Sequence, residues 1–248
     1  MADTGTCVHD ILPPYDEKRR ATAGANPVVG QIVRTVVPNL CDGWKIFEAQ
    51  RADQVKHSSV SGVIRSVDDK VDYRPKATRL PIYSLRLRDS EELLAVRSKL
   101  RPCLVLMTAV GILPQHLPND WQRSMGQVAF RHTSYLVAPI FSIAQKNETK
   151  AFGPAMAARI ECLVYPQFVY LPRSGGIIRT DSVARLDRAF WATLAPPSEA
   201  EQLFLHDERI GVLHNQLLVL QGLPPSKQYV EMADILRLEL KSEYEIET

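Results

Sequence analysis

Between Asn39 and Lys99 basic side chains stand among aromatic ones: Arg51, Lys56, Arg65, Arg74, Lys76, Arg79, Arg86 and Arg88 with Trp44, Phe47, Tyr73 and Tyr83. Cations beside flat rings are what a single nucleic-acid strand needs, the first for phosphates and the second for base stacking. Acidic residues are mixed in, and aromatics in a β-rich segment are more often core, so these rings are expected to be buried. His132 and Thr133 are a second candidate, because a histidine titrates near neutral pH and can carry a proton. Their plainer role is as loop residues facing water.

Other chemistry is excluded by its missing signatures. The chain has no Walker-type phosphate loop, no Gly-x-Gly-x-x-Gly, no Gly-x-Ser-x-Gly elbow and no His-Glu-x-x-His. Nucleotide hydrolysis, dinucleotide redox chemistry and zinc proteolysis are therefore not expected. His206 and His214 lie eight residues apart on an expected helix, too far along its axis to share an ion. Cys7, Cys41, Cys103 and Cys162 are scattered, with no Cys-x-x-Cys. By the usual spacings they suggest neither a disulfide framework nor a zinc site, and no metal or cofactor is expected.

The 248 residues are 45% hydrophobic and 23% charged, the composition of an ordinary folded chain. Apolar runs such as Cys103 to Met107 fall far short of the roughly 20 residues of a membrane span. The N-terminus does not read as a secretion signal, so a cytoplasmic protein is expected. The net charge of +2 hides a division. Residues 1–100 hold 16 basic and 13 acidic side chains, residues 101–195 hold 10 and 5, and residues 196–248 hold 4 and 10. A basic body followed by an acidic tail can bind a polyanion and be covered by its own tail.

The elements that would position these residues are mainly strands. Residues 1–26 read as a mobile arm, Pro27–Val37 as a first strand, and Trp44–Phe47, Val60–Val67 and Leu80–Leu87 as short strands. Glu91–Lys99 reads as a short helical turn, whereas Cys103–Met107, Tyr135–Ile143, Arg159–Leu171 and Asp181–Leu186 read as strands. Short strands joined by turns predict a small closed or half-closed β-barrel. Beyond Pro196-Pro197, Ser198 with Glu201 three residues later predicts a capping box and a helix ending at Gly222, then a second helix from Ser226. The domain plan is an arm (1–26), a barrel (27–195) with an insertion (39–99), and an acidic helical hairpin (196–248).

Four blocks in order carry a resemblance: Gly30-Gln31-Ile32-Val33, Leu100-Arg101-Pro102-Cys103-Leu104-Val105-Leu106, Tyr135-Leu136-Val137-Ala138-Pro139-Ile140, and Ile178 to Arg188 with Asp181-Ser182 and Leu186-Asp187. They resemble the strands of the MazF/PemK-type toxins over about residues 27–195. The resemblance implies an SH3-like barrel, often a homodimer, that cleaves single-stranded RNA without a metal and is bound by an antitoxin protein. It places Arg101 at the family's Arg-Pro arginine, where a guanidinium grips phosphate oxygens. It also implies Ser142 or His132 as catalytic partners, with Arg173, Arg179, Arg185 and Thr133 as RNA-binding groups. An acidic antitoxin segment commonly covers the family's RNA groove, which the tail could do within one chain. The sequence departs from the family where a catalytic threonine is expected, since Phe141 stands there with Ser142 next. Strand neighbours point to opposite faces, so Ser142 replaces that hydroxyl only through a bulge or a slip. The alternative is a non-catalytic barrel that binds nucleic acid or a protein.

Overall fold

The structure is a computed structural model that describes residues 6–21, 26–39, 43–51, 60–74, 90–108, 134–143, 152–193 and 198–240. The chain forms two compact units, one of residues 1–36 with 100–248 and one of residues 37–99. It is mainly β, with helices at its C-terminal end.

The larger unit is built on a seven-stranded sheet. Its strands are β1 (Gln31–Pro38), β5 (Ser98–Thr108), β6 (Ser134–Ser142), β7 (Phe168–Leu171), β8 (Ser182–Arg185), β9 (Phe190–Thr193) and β10 (Glu199–Phe204), and the first and second of these continue into the smaller unit. The order is β10-β1-β5-β6-β8-β7, with β9 also on β6. One edge of β6 pairs with β5, and the other is shared, Ser134–Val137 with β9 and Ile140–Ser142 with β8. A bulge in β5 between Val105 and Met107 bends the central pair.

Burial on both faces explains the apolar runs. In β7, Phe168 and Tyr170 enter one core cluster while Val169 and Leu171 enter the other. In β8, Val183 and Ala184 divide in the same way. Strand alternation sends neighbours to opposite faces, so a sheet covered on both sides must be apolar at every position. Helices α1 (Val8–Ile11), α2 (Pro154–Glu161), α3 (Asp207–Leu220) and α4 (Lys227–Leu238) supply the covers. Val8, Ile160, Val212 and Leu236 pack in the first cluster, and Leu213 joins Ile32, Leu104 and Ile140 in the second.

The end strands β10 and β7 are not paired with each other among the described residues. Side chains cap the free edge of β7 instead. Gln216 Nε2 donates to the Phe168 carbonyl at 2.8 Å, Arg209 donates to the Tyr170 carbonyl, and the Tyr15 hydroxyl donates to the Pro172 carbonyl at 2.6 Å. These alternate carbonyls point to the same side, and a helix that covers them removes an edge where another chain could add a strand.

Several elements differ from the sequence reading. Residues 154–161 are a helix, started by Pro154 and ended at Leu163 (φ 56°), so Arg159–Leu171 is a strand only from Phe168 onward. Glu91–Lys99 contains strand β4 (Leu93–Ala95) in place of a helical turn. The Ser198 capping box does not form. Glu199–Phe204 pairs with β1, the Ser198 hydroxyl meets Thr35 at 2.8 Å, and the helix begins at Asp207. An open edge on β1 offered a full row of backbone bonds, which outweighs a local cap. Residues 198–240 are consequently part of the body and not a separable cover. Nor are all described residues of the arm loose, since Val8 is fully buried and Tyr15 forms a bridge with Leu205. Gly30 (φ 83°) fits α3 closely, because a Cβ there would lie 2.7 Å from Ile210.

The smaller unit is the sheet β3-β2-β4, with β2 at Lys45–Arg51 and β3 at Val60–Ser66. Arg65 binds both oxygens of buried Asp72 at 2.7 and 2.6 Å and Glu48 at 2.6 Å. The expected burial of the rings fails here. Trp44 is 59% exposed and Tyr73 47% exposed, because three strands of this length bury little beyond Ile46. Tyr83 and the expected strand Leu80–Leu87 lie outside the described residues.

Candidate nucleic-acid interface

Arg101 sits on β5, and the register that pairs Cys103 with Pro139 sets it opposite Phe141 on β6. Its guanidinium stacks on the Phe141 ring, 4.8 Å from the centroid. Arg188, brought in by the single helical turn Leu186–Arg188 after β8, lies over the same ring at 5.7 Å. A ring face attracts a cation without neutralising it. Neither arginine forms an ion pair with a carboxylate among the described residues, although Arg188 acts on Asp187 as a neighbouring charge, so two guanidiniums share one ring without an ion-pair partner.

Arg185 differs. It lies over Phe168 at 5.2 Å, but its guanidinium is bound to both oxygens of Asp187, one at 2.9 Å. That bond holds the Asp187 carboxyl below its usual pKa. A bidentate partner uses the same donors a phosphate would need.

The opposite face of the sheet carries a cavity of about 430 Å³ lined by Arg34, Leu100, Pro102, Ile177, Arg179 and Glu201, among others. Leu100 and Pro102 flank Arg101 and alternate away from it. Arg34 is paired with Glu201 at 3.4 Å, whereas Arg179 is exposed and reaches no carboxylate among the described residues. Arg173 stands nearby in sequence on a turn closed by its own N–H to Asp181 at 3.0 Å.

Of the expected catalytic partners of Arg101, only Ser142 lies among the described residues. The β6–β8 register runs unbroken through Ile140, Phe141 and Ser142, so no bulge turns Ser142 toward the arginine. The Ser142 hydroxyl instead meets Thr180 at 2.6 Å. His132 and Thr133 lie outside the described residues. Sequence reading missed Arg188 and the platform role of Phe141. The signal was present, since residues two before Cys103 and two after Pro139 must face each other once those two strands pair.

A second group was also missed. Cys7, His9 and Asp10 bring a sulfur, a ring nitrogen and a carboxylate oxygen within 4.8 Å of one another. Burial, followed by the Asp10 hydrogen bond, pushes the Cys7 thiol up to about 12, so it is not an activated nucleophile.

No protein-family model matches this chain, and no curated protein matches it in sequence. No helix among the described residues is long and apolar enough to cross a membrane.

Proposed function

We propose that this protein binds single-stranded RNA through Arg101, Phe141 and Arg188, and that it does so as a non-catalytic relative of the MazF/PemK-type, SH3-like barrels. The observation that carries the reading is the pair of guanidiniums against one ring, neither in an ion pair with a carboxylate among the described residues. Such a pair offers forked donors to phosphate oxygens, with both guanidiniums held against one ring. A cleaving enzyme would also need a group near Arg101 to take the 2'-hydroxyl proton and another to protonate the leaving oxygen. The resemblance sets Phe141 where those toxins carry a hydroxyl, and the unbroken β6–β8 register supports a Ser142 that faces away from Arg101.

The test incubates the full chain and its Arg101→Ala/Arg188→Ala form with a long unstructured RNA in chelator, reading binding by anisotropy and cleavage by sequencing new 5' ends. Intact RNA that is bound by the parent and weakly by the double variant is expected. Cuts at a recurrent sequence, lost on Arg101→Ala, would establish the metal-independent endoribonuclease instead. No binding at low salt would remove RNA from the account.

A further inference from the structure

The N-terminal segment Cys7-Val8-His9-Asp10 brings three kinds of metal-binding donor to one place. Cys7 Sγ lies 3.3 Å from His9 Nε2, and His9 Nε2 lies 3.7 Å from Asp10 Oδ1. The sulfur is 3.0 Å from the other Asp10 oxygen. Zinc bonds of about 2.3 Å to sulfur and 2.0–2.2 Å to nitrogen and oxygen put tetrahedral ligands about 3.4–3.6 Å apart. The sulfur–Nε2 and Nε2–Oδ1 spacings of 3.3 and 3.7 Å bracket that value. The ring's other nitrogen is closer, at 2.6 Å from the sulfur. Receiving an ion therefore requires the imidazole to turn, which a side chain 31% exposed can do.

We propose that Cys7, His9 and Asp10 form a three-ligand site for a borderline-soft divalent cation of the zinc class, with a fourth position open to solvent. Sulfur, imidazole and carboxylate together select such an ion over magnesium or calcium, which take oxygen sets. The surroundings favour it. The carboxylate is held in place, since Oδ2 accepts the Cys7 backbone N–H at 2.9 Å and leaves Oδ1 for the ion. His9 also rests against the Tyr170 ring, with centroids 5.4 Å apart. On binding, the Cys7 S–H bond breaks, a sulfur–metal bond forms and the proton leaves to water.

A capping box alone explains the Asp10 contacts to Cys7, because Asp10 is the third residue of the turn that Cys7 caps. It does not require a histidine beside the sulfur, so the two accounts separate experimentally. Cobalt(II) is added to the full-length apo protein, and the sulfur-to-cobalt charge-transfer band is followed. One equivalent should produce the band, and zinc should displace it. Cys7→Ser should abolish it, while Cys103→Ser and Cys162→Ser keep it. Because Cys7 is buried, His9→Ala is the second variant. It should fold normally and weaken cobalt binding by at least the roughly 10–100-fold that changes around a metal site typically cause. Absence of the band in the parent, its survival in Cys7→Ser, or unchanged affinity in His9→Ala would each overturn the site.

Discussion

Arg209 and the pair Arg101 and Arg188 put one chemical group to opposite uses. Arg209 is 2% exposed, donates to the Tyr170 carbonyl on the edge of β7, and leaves Nε and Nη1 without partners among the described residues. Burial lowers its pKa to about 10, which still keeps it charged at neutral pH. Arg101 and Arg188 sit on the outside of the same sheet, on a ring rather than on a carbonyl. What separates them is where the fold ends a strand. The edge of β7 needs donors and takes them from α3, while the pairing of β5 with β6 satisfies its own backbone and asks nothing of the arginines beside it.

The largest effect should come from removing the element that carries Arg209. Deleting residues 196–248 takes away β10, α3 and α4, and with them Phe204, Leu205, Leu213 and Leu236 from the core. The truncated chain should show no cooperative thermal transition by circular dichroism. If it melts like the full chain, the tail is a removable cover after all, and the contrast between an inner and an outer arginine loses its basis.

Alkaline pH comes next, acting on the buried side of the comparison. Cys7 and Cys103 are raised to about 12 and Cys162 to about 11, chiefly by burial, from 9.0. Tyr15 and Tyr170, beside Arg209, are also raised by burial. Above pH 9 the unfolded chain therefore sheds protons that the folded chain keeps, and stability falls as pH rises, by about 1.4 kcal/mol per unit for each such group. Arg209 works the other way from about pH 10, because the folded state releases its proton before the unfolded state does. One group does not offset three thiols. Denaturant midpoints should be flat from pH 7 to 8.5 and drop steeply by pH 11, and a midpoint constant to pH 11 would contradict the burial of these groups.

Substituting Arg209 itself ranks third. Arg209→Ala should lower stability by about 3 kcal/mol, from a cavity and an orphaned carbonyl. Arg209→Met keeps the volume and removes the buried charge, so it should cost less than half as much. Equal losses in urea melts would show that the hydrogen bond to Tyr170, and not packing, is what matters.

These inner features were the least legible in the sequence. Cys103–Met107 and Tyr135–Ile143 stood out because strands covered on both faces are apolar throughout. Glu199–Phe204 was hidden because a strand at the edge of a sheet is half polar, and Ser198 with Glu201 imitates a helix start. Arg209 and Gln216 read as ordinary polar faces of a helix, since nothing local reveals that carbonyls of β7 await them. The outer site was partly legible. Arg101 came from its Arg-Pro setting, but its partner Phe141 was seen only as a missing threonine, and Trp44 was expected in a core that the smaller unit is too thin to provide.

The outer arginines should show smaller effects, confined to binding. Arg101→Ala should weaken RNA binding about tenfold and lower the salt slope by about 0.7, the value of one phosphate contact on a single strand. Arg185→Ala should change affinity less than twofold, because Asp187 already holds its donors. Equal losses from the two would mean that total charge, and not the unpaired state of Arg101, sets affinity.

The smallest effect belongs to the platform. Phe141→Leu keeps an apolar side chain against the first core cluster but removes the ring under both guanidiniums. A cation on an exposed ring is worth about 0.5–1 kcal/mol, so losing the platform should cost roughly two- to fivefold in RNA affinity. Stability should fall only slightly, because Phe141 is at the rim and not in the buried set. If affinity is untouched while Arg101→Ala still costs tenfold, the ring merely fills space, and two forks of charge suffice. If Phe141→Leu instead costs as much as the loss of an arginine, the ring also stacks a base, and the outer site reads both parts of a nucleotide where the inner arginine touches only a strand.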